Sequence, residues 1–266
     1  MCDVLNKKTY ALPLEIQEEK VMIYLRRANE RGQVDFGWLK SHHSFSFGHY
    51  YDANHMGFSV LRVINDDVVQ PGRGFETHGH RDMEIISYVV SGALKHKDSN
   101  GNEYTVPAGD VQVMSAGKGI MHSEFNPSNN EAVNFLQIWI VPDEKGGKPS
   151  YAQKTFGKNN HGALNQDEPL ELLVSSDGRE GSLKIKQNAE ISRLTLNANE
   201  TWRSATKSRK GYLHVISGNV RVSSQSTVES ESINLGAGDA IGIYEHDSFS
   251  IDAIENAVAL WFDLPV

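Results

Sequence analysis

A single cysteine, Cys2, in 266 residues leaves no partner for an internal disulfide. That excludes a secreted, disulfide-stapled scaffold and makes the reducing cytoplasm the expected location. No apolar run approaches the roughly 18 residues that a bilayer-spanning helix needs, so no membrane partner is expected. The N-terminal stretch to Lys20 is polar and charged and does not read as a secretory signal. Basic residues are in deficit, with 26 Lys and Arg against 34 Asp and Glu and a formal net charge of -8. Direct nucleic-acid binding lacks the basic surplus it uses. No helix-period segment of ordinary length appears in the first half, which argues against alternating βα units.

What the chain does have is short strand-like segments between turn signals. Phe58 to Ile64, Glu84 to Val90 and Val133 to Ile140 are rich in apolar and β-branched residues. Asp98-Ser99-Asn100-Gly101-Asn102 reads as a hairpin turn with Asn-Gly at its centre. Pro142 to Pro149 holds two prolines, two glycines and four charges, and reads as a linker near the midpoint. The second half weakly repeats the first. Ser91-Gly92 recurs as Ser217-Gly218 at an offset of 126, and Ala108-Gly109-Asp110 recurs as Ala237-Gly238-Asp239 at 129. A duplicated antiparallel architecture is expected. Residues 1–21 form an N-terminal extension, 22–143 a first barrel with metal chemistry and 144–266 a second, metal-free barrel. The second half has Trp202 to Thr206 where a His-x-His pair would fall. Elsewhere it has only His214 and the adjacent pair Glu245-His246, whose side chains point to opposite faces of a strand.

The densest chemistry lies between Gly72 and Asn126. His78 and His80 are spaced i, i+2, as are His122 and Glu124, and in a strand such pairs share a face. If the two strands lie side by side, three imidazoles and one carboxylate converge. This donor set suits one divalent transition metal: Fe(II) first, with Ni(II), Mn(II), Co(II) or Zn(II) as alternatives. An octahedral ion keeps two open positions and a tetrahedral one keeps none; the residues leave both open. Protons are expected to compete with the metal as pH falls through the ordinary histidine range near 6.5. The group His42, His43, His49 and His55 has no ligand spacing and reads as turn and packing residues; Phe45, Phe47, Tyr50 and Tyr51 read as barrel packing or as walls of the pocket. Lys118, between two glycines, reads as part of a tight solvated loop.

Gly72-x5-His78-x-His80-x3-Glu84 and Gly109-x5-Ser115-Ala116-Gly117-x4-His122-x3-Asn126 resemble the two cupin motifs. Ser115 replaces the usual proline and two extra residues precede His122. A typical cupin takes a ligand from the position of Glu84. Here that residue is out of step with Gly92, which turns it to the opposite face and leaves it a partner for an imidazole N–H or an ion-paired residue beside Arg81. His43-Ser44-Phe45-Ser46-Phe47, Leu61 to Asp67 and Val113 to Glu124 are similar to segments of the pirin family. The resemblance implies an all-β bicupin of two stacked antiparallel β-barrels of jelly-roll type, with metal held by His78, His80, His122 and Glu124. It implies a dioxygenase of the quercetin 2,3-dioxygenase kind, acting on a flavonol with O2, with Glu124 also taking the substrate's proton. The alternative it offers is a non-enzymatic, metal- and redox-sensing regulator that contacts a transcription factor or metabolic enzyme.

Overall fold

The computed structural model describes residues 23–157, 169–205, 208–224, 232–243 and 248–266. The expected extension 1–21 and the Tyr244-Glu245-His246 segment lie outside these residues. Helical structure among the described residues is limited to two three-residue 3-10 turns, Ala28–Glu30 and Arg179–Gly181. Everything else regular is strand.

Two jelly-roll sandwiches result, each a seven-stranded sheet facing a four-stranded one. In the first, Glu84–Ser91 and Val133–Ile140 lie at the centre of the large sheet. The small sheet runs Gly74–His80, Ile120–Phe125, Ala93–Asp98, Glu103–Pro107. Period-2 alternation sorts the central strand between two environments. Ile85 and Val89 face the interior of the first sandwich, whereas Ile86 and Tyr88 enter the apolar layer between the two sandwiches. That layer is the largest core cluster. It joins Phe45, Phe58, Ile64 and Leu136 from one side to Leu173, Tyr212, Leu260 and Phe262 from the other. Of the aromatic residues expected to pack, Tyr51 does not: it is 74% exposed.

The repeat seen in the sequence has a structural cause. Gly92 and Gly218 both turn a large-sheet strand into a small-sheet strand with φ of 76° and 80°. A Cβ there would lie 2.9 Å from the Ala132 carbonyl oxygen, and 2.2 Å from that of Asn256. Left-handed backbone and backbone crowding both select glycine. Likewise the N–H groups of Gly109 and Gly238 donate to the carbonyls of Val89 and Val215, each at 2.8 Å.

The sandwiches exchange edge strands. Ile23–Arg26 pairs with Ala240–Ile243 in the second large sheet, and Ser150–Thr155 pairs with Asp110–Ser115 in the first. A cut after residue 143 therefore separates Ser150–Thr155 from its sheet. It also leaves residues 22–143 with one strand that belongs to the other. Arg26, 2% exposed, anchors the first exchange through bonds to the Ser44 carbonyl and the Tyr50 hydroxyl at 2.9 and 2.7 Å.

Buried titratable groups make the stability pH-dependent. Burial, reinforced by His42, lowers His43 to about 4. Burial, helped by Arg31 and opposed by Asp66 and Asp239, lowers His214 to about 4. Burial raises Asp67 to about 7, with the nearby Ser41 hydroxyl opposing it and Asp66 and Glu124 adding to it. From 6.5 down to about 4 the unfolded chain binds protons that native His43 and His214 refuse, so stability falls with pH. Native Asp67 works the other way across this range, holding a proton the unfolded chain has released. Two histidines outweigh one aspartate, and in metal-free protein His80 and His122 add to the loss. Urea unfolding should show stability falling from pH 6.5 to 4, at about 1.4 kcal/mol per pH unit or more. His214→Leu should flatten that slope; an unchanged slope would remove His214 from the account.

Candidate metal centre

The small sheet of the first sandwich builds the site from three adjacent strands. Ile120–Phe125 lies in the middle, antiparallel to Gly74–His80 on one side and Ala93–Asp98 on the other. His122 stands opposite His78, and Ile120 opposite His80. All three imidazoles come to one face, with ring centres 4.5 to 4.8 Å apart. Their donor nitrogens lie within 4.8 Å of one another. A bulge between His122 and Glu124 pairs Glu124 with Phe75. Glu124 is buried at 1% exposure, while His78 and His80 are only partly buried. The four residues expected to meet thus divide: three histidines form one group, and Glu124 groups with His122 and with His96, a residue not expected here.

The local chemistry suits a cation. The Glu76 carbonyl can only accept, so His78 Nδ1, 2.8 Å away, carries the hydrogen and donates. That leaves His78 Nε2 with its lone pair aimed at His122 Nε2, 3.1 Å away. Burial is the main cause that lowers His80 to about 4, with His122 and His78 adding and Glu124 opposing. Burial likewise lowers His122 to about 3, with His78 and His96 adding and Asp98 opposing. Both rings are neutral at ordinary pH, the form that ligates. Protons competing for these two rings therefore arrive near pH 4 and below, not near 6.5 as their unperturbed chemistry suggests.

Behind the histidines lies a polar network that the sequence reading missed. Glu124 accepts Gln112 Nε2 at 2.6 Å on one oxygen and Gln137 Nε2 at 2.7 Å on the other, which fixes the carboxylate plane. Ser87 donates to Gln137 Oε1 at 2.9 Å, and the Tyr151 hydroxyl to Gln112 Oε1 at 3.0 Å. Ser87, Gln112 and Gln137 each interrupt an apolar run in a central strand, a pattern that marks a polar residue facing an interior. Trp139 packs edge-on against His80 at 5.0 Å, and Phe75 sits 6.5 Å from His78, giving the mouth aromatic walls.

Glu84 is elsewhere. It faces the second sandwich, accepting from Ser115 Oγ at 2.6 Å and the Lys186 N–H at 3.3 Å. It neither holds an imidazole nor pairs with Arg81. Of the other histidines, His55 Nδ1 meets the Tyr24 hydroxyl at 2.6 Å and His43 packs on Phe47, as turn and packing residues do.

A pirin family model matches residues 24–140, and a quercetinase C-terminal cupin domain model matches 172–264. A protein of Escherichia coli K12 named quercetin 2,3-dioxygenase is 44% identical over 92% of this chain and 99% of its own. The chain belongs to the pirin family. As a pirin it is a member of the cupin superfamily, which agrees with the two jelly rolls. A pirin-like protein of Caulobacter vibrioides is 40% identical, covering 91% of this chain and 99% of its own. The crystal structure of a bacterial pirin from E. coli in complex with nickel(II) superposes with a TM-score of 0.82 at 45% identity. That match covers 92% of this chain and 99% of the other.

Proposed function

We propose that this pirin is a metal-dependent dioxygenase that opens a flavonol with O2. The observation that carries the reading is the convergence of three imidazoles, two of them only partly buried, at the aromatic-walled mouth of the first sandwich. The E. coli relative's name and the nickel complex of the bacterial pirin support it.

His78, His80, His122 and Glu124 would hold the ion. When bound, it supplies Lewis-acid polarisation of a flavonol oxygen and redox access to O2. The chain's own residues supply the rest. Glu124 receives the substrate's hydroxyl proton on a carboxylate oxygen, a general-base role. Gln112 and Gln137 keep that carboxylate in one orientation through the transfer. Trp139 and Phe75 offer flat apolar faces to a flat aromatic substrate and displace water from it.

Apo-protein reconstituted separately with Fe(II), Ni(II), Mn(II), Co(II) and Zn(II) tests this by oxygen uptake with quercetin. Oxygen should be consumed in proportion to quercetin with at least one redox-capable ion. Glu124→Gln should slow uptake about 10²- to 10⁴-fold per bound metal. Stoichiometric metal binding with no uptake for any ion would replace catalysis with a binding role toward a protein partner.

A further inference from the structure

We propose that His96, His122 and Glu124 form a second, inner position for a divalent transition metal ion, an alternative to the outer one because the single lone pair of neutral His122 serves one position at a time. The proposal rests on the reading of this cluster as a metal centre. The middle strand Ile120–Phe125 is flanked by donors on both sides. Across from His78 stands His122; across from His122 on the far side stands Asp98, and across from Glu124 stands His96. The outer group has been described. The inner group has the same compactness, its ligand atoms within 4.8 Å of one another, and all three of its side chains are buried.

His96 is oriented by its neighbour. Its Nε2 lies 3.1 Å from Asp98 Oδ2. Asp98 is itself held by Asn102 Nδ2 at 2.8 Å and by the backbone N–H groups of Asn100 and Asn102 at 2.9 and 3.1 Å. Three protein donors thus converge on the Asp98 carboxyl, which leaves it an acceptor toward His96. An acceptor at Asp98 Oδ2 places a hydrogen on His96 Nε2, so Nδ1 is the ring nitrogen free to ligate. That Nδ1 is buried and meets no donor, and His122 Nδ1 is likewise buried without a partner. A buried acceptor left unmet is destabilising, and a cation between these groups removes the penalty.

Two imidazoles and a carboxylate match the donor set of non-haem divalent sites. The inner position is also closed. Tyr151 stacks on the His96 ring at 4.3 Å and 22°, and Tyr104 stacks on Tyr151 at 5.5 Å. The His96 ring is thereby covered by two stacked aromatic rings, whereas His78 and His80 of the outer group are partly exposed.

Cobalt(II) binding to chelator-stripped protein, followed by visible absorption and elemental analysis, tests the assignment. The wild type should bind cobalt. The His78→Ala/His80→Ala protein lacks the outer group and should still bind one equivalent, more weakly and with an altered absorption band. Adding His96→Gln should weaken the remaining binding by more than about 100-fold. Asp98→Asn in the same background is the alternative if the triple variant does not fold. Its amide presents a donor to His96 Nε2, forces the hydrogen to Nδ1, and should weaken binding about 10- to 100-fold. The inner position is refuted if the double variant binds no cobalt, or if neither His96→Gln nor Asp98→Asn changes what it binds. Wild-type protein that binds no cobalt would overturn the metal reading as a whole.

Discussion

Glu124→Ala should strip this pirin of metal, while Glu84→Ala should leave the metal bound. Both glutamates lie in the motif segments, and in a typical cupin the position of Glu84 is the ligand. Here the two carboxylates face different rooms. Glu124 points into the first sandwich, beside His122 and His96. Glu84 points out of it, toward Ser115 and Lys186. Removing Glu124 deletes the one anionic donor of the cluster and leaves the Gln112 and Gln137 amides facing a void. Affinity for Ni(II) or Co(II) should fall by at least about 100-fold. Removing Glu84 leaves a buried hydroxyl and a backbone N–H without an acceptor, a cost of about 1–3 kcal/mol in stability. Parallel metal titrations and melting curves of the two variants decide it. Metal loss in Glu84→Ala with retention in Glu124→Ala would return the site to the common cupin arrangement.

Phe262→Ala should produce the largest stability loss of any single truncation between the sandwiches, about 3–5 kcal/mol. Phe262 is fully buried in the shared apolar layer and meets Tyr212 edge-to-face at 5.8 Å. Its strand, Ala257–Leu264, pairs with both Glu190–Leu196 and Lys210–Ser217, so the cavity cannot close by moving one edge. For a chain of this size the loss corresponds to a fall in Tm on the order of 10 °C. Because the layer belongs to both sandwiches and each holds a strand of the other, both should melt in one transition, at the lowered temperature. Trp38 and Trp139 report on the first sandwich, Trp202 and Trp261 on the second. Two separated transitions, with only the second shifted, would contradict this.

The sequence carries the outer site and the fold class because both depend on period-2 spacing. His78, His80, His122 and Glu124 share faces by parity, and the Gly92 and Gly218 turns mark the repeat by a conformation few other residues adopt. His96-x-Asp98 has the same spacing but alternates with Lys95 and Lys97, so it reads as a solvated charged hairpin. In the folded strand the lysines pair outward with Glu103, at 2.7 and 3.3 Å, and the His and Asp turn inward. Parity identifies a face; it does not say which face is interior. The bulge that carries Glu124 away from His78 is set by how two strands meet, which neither strand encodes alone. The strand exchange is further out of reach, since Ile23–Arg26 finds its partner more than 200 residues along the chain.

That exchange also governs how these two sandwiches can be inherited and reused. A gene fragment encoding residues 24–140 alone would expose the Asp110–Ser115 edge, a row of buried residues with unpaired N–H and C=O groups. It would also carry Tyr24, Leu25 and Arg26, whose pairing partner is gone. Open edges of that kind recruit other chains and lead to aggregation. Either half moved alone into a new gene would carry an open edge, which favours keeping the pair together. A second sandwich that has no donor cluster among its described residues is then retained for a plain reason: it caps the edge of the one that does.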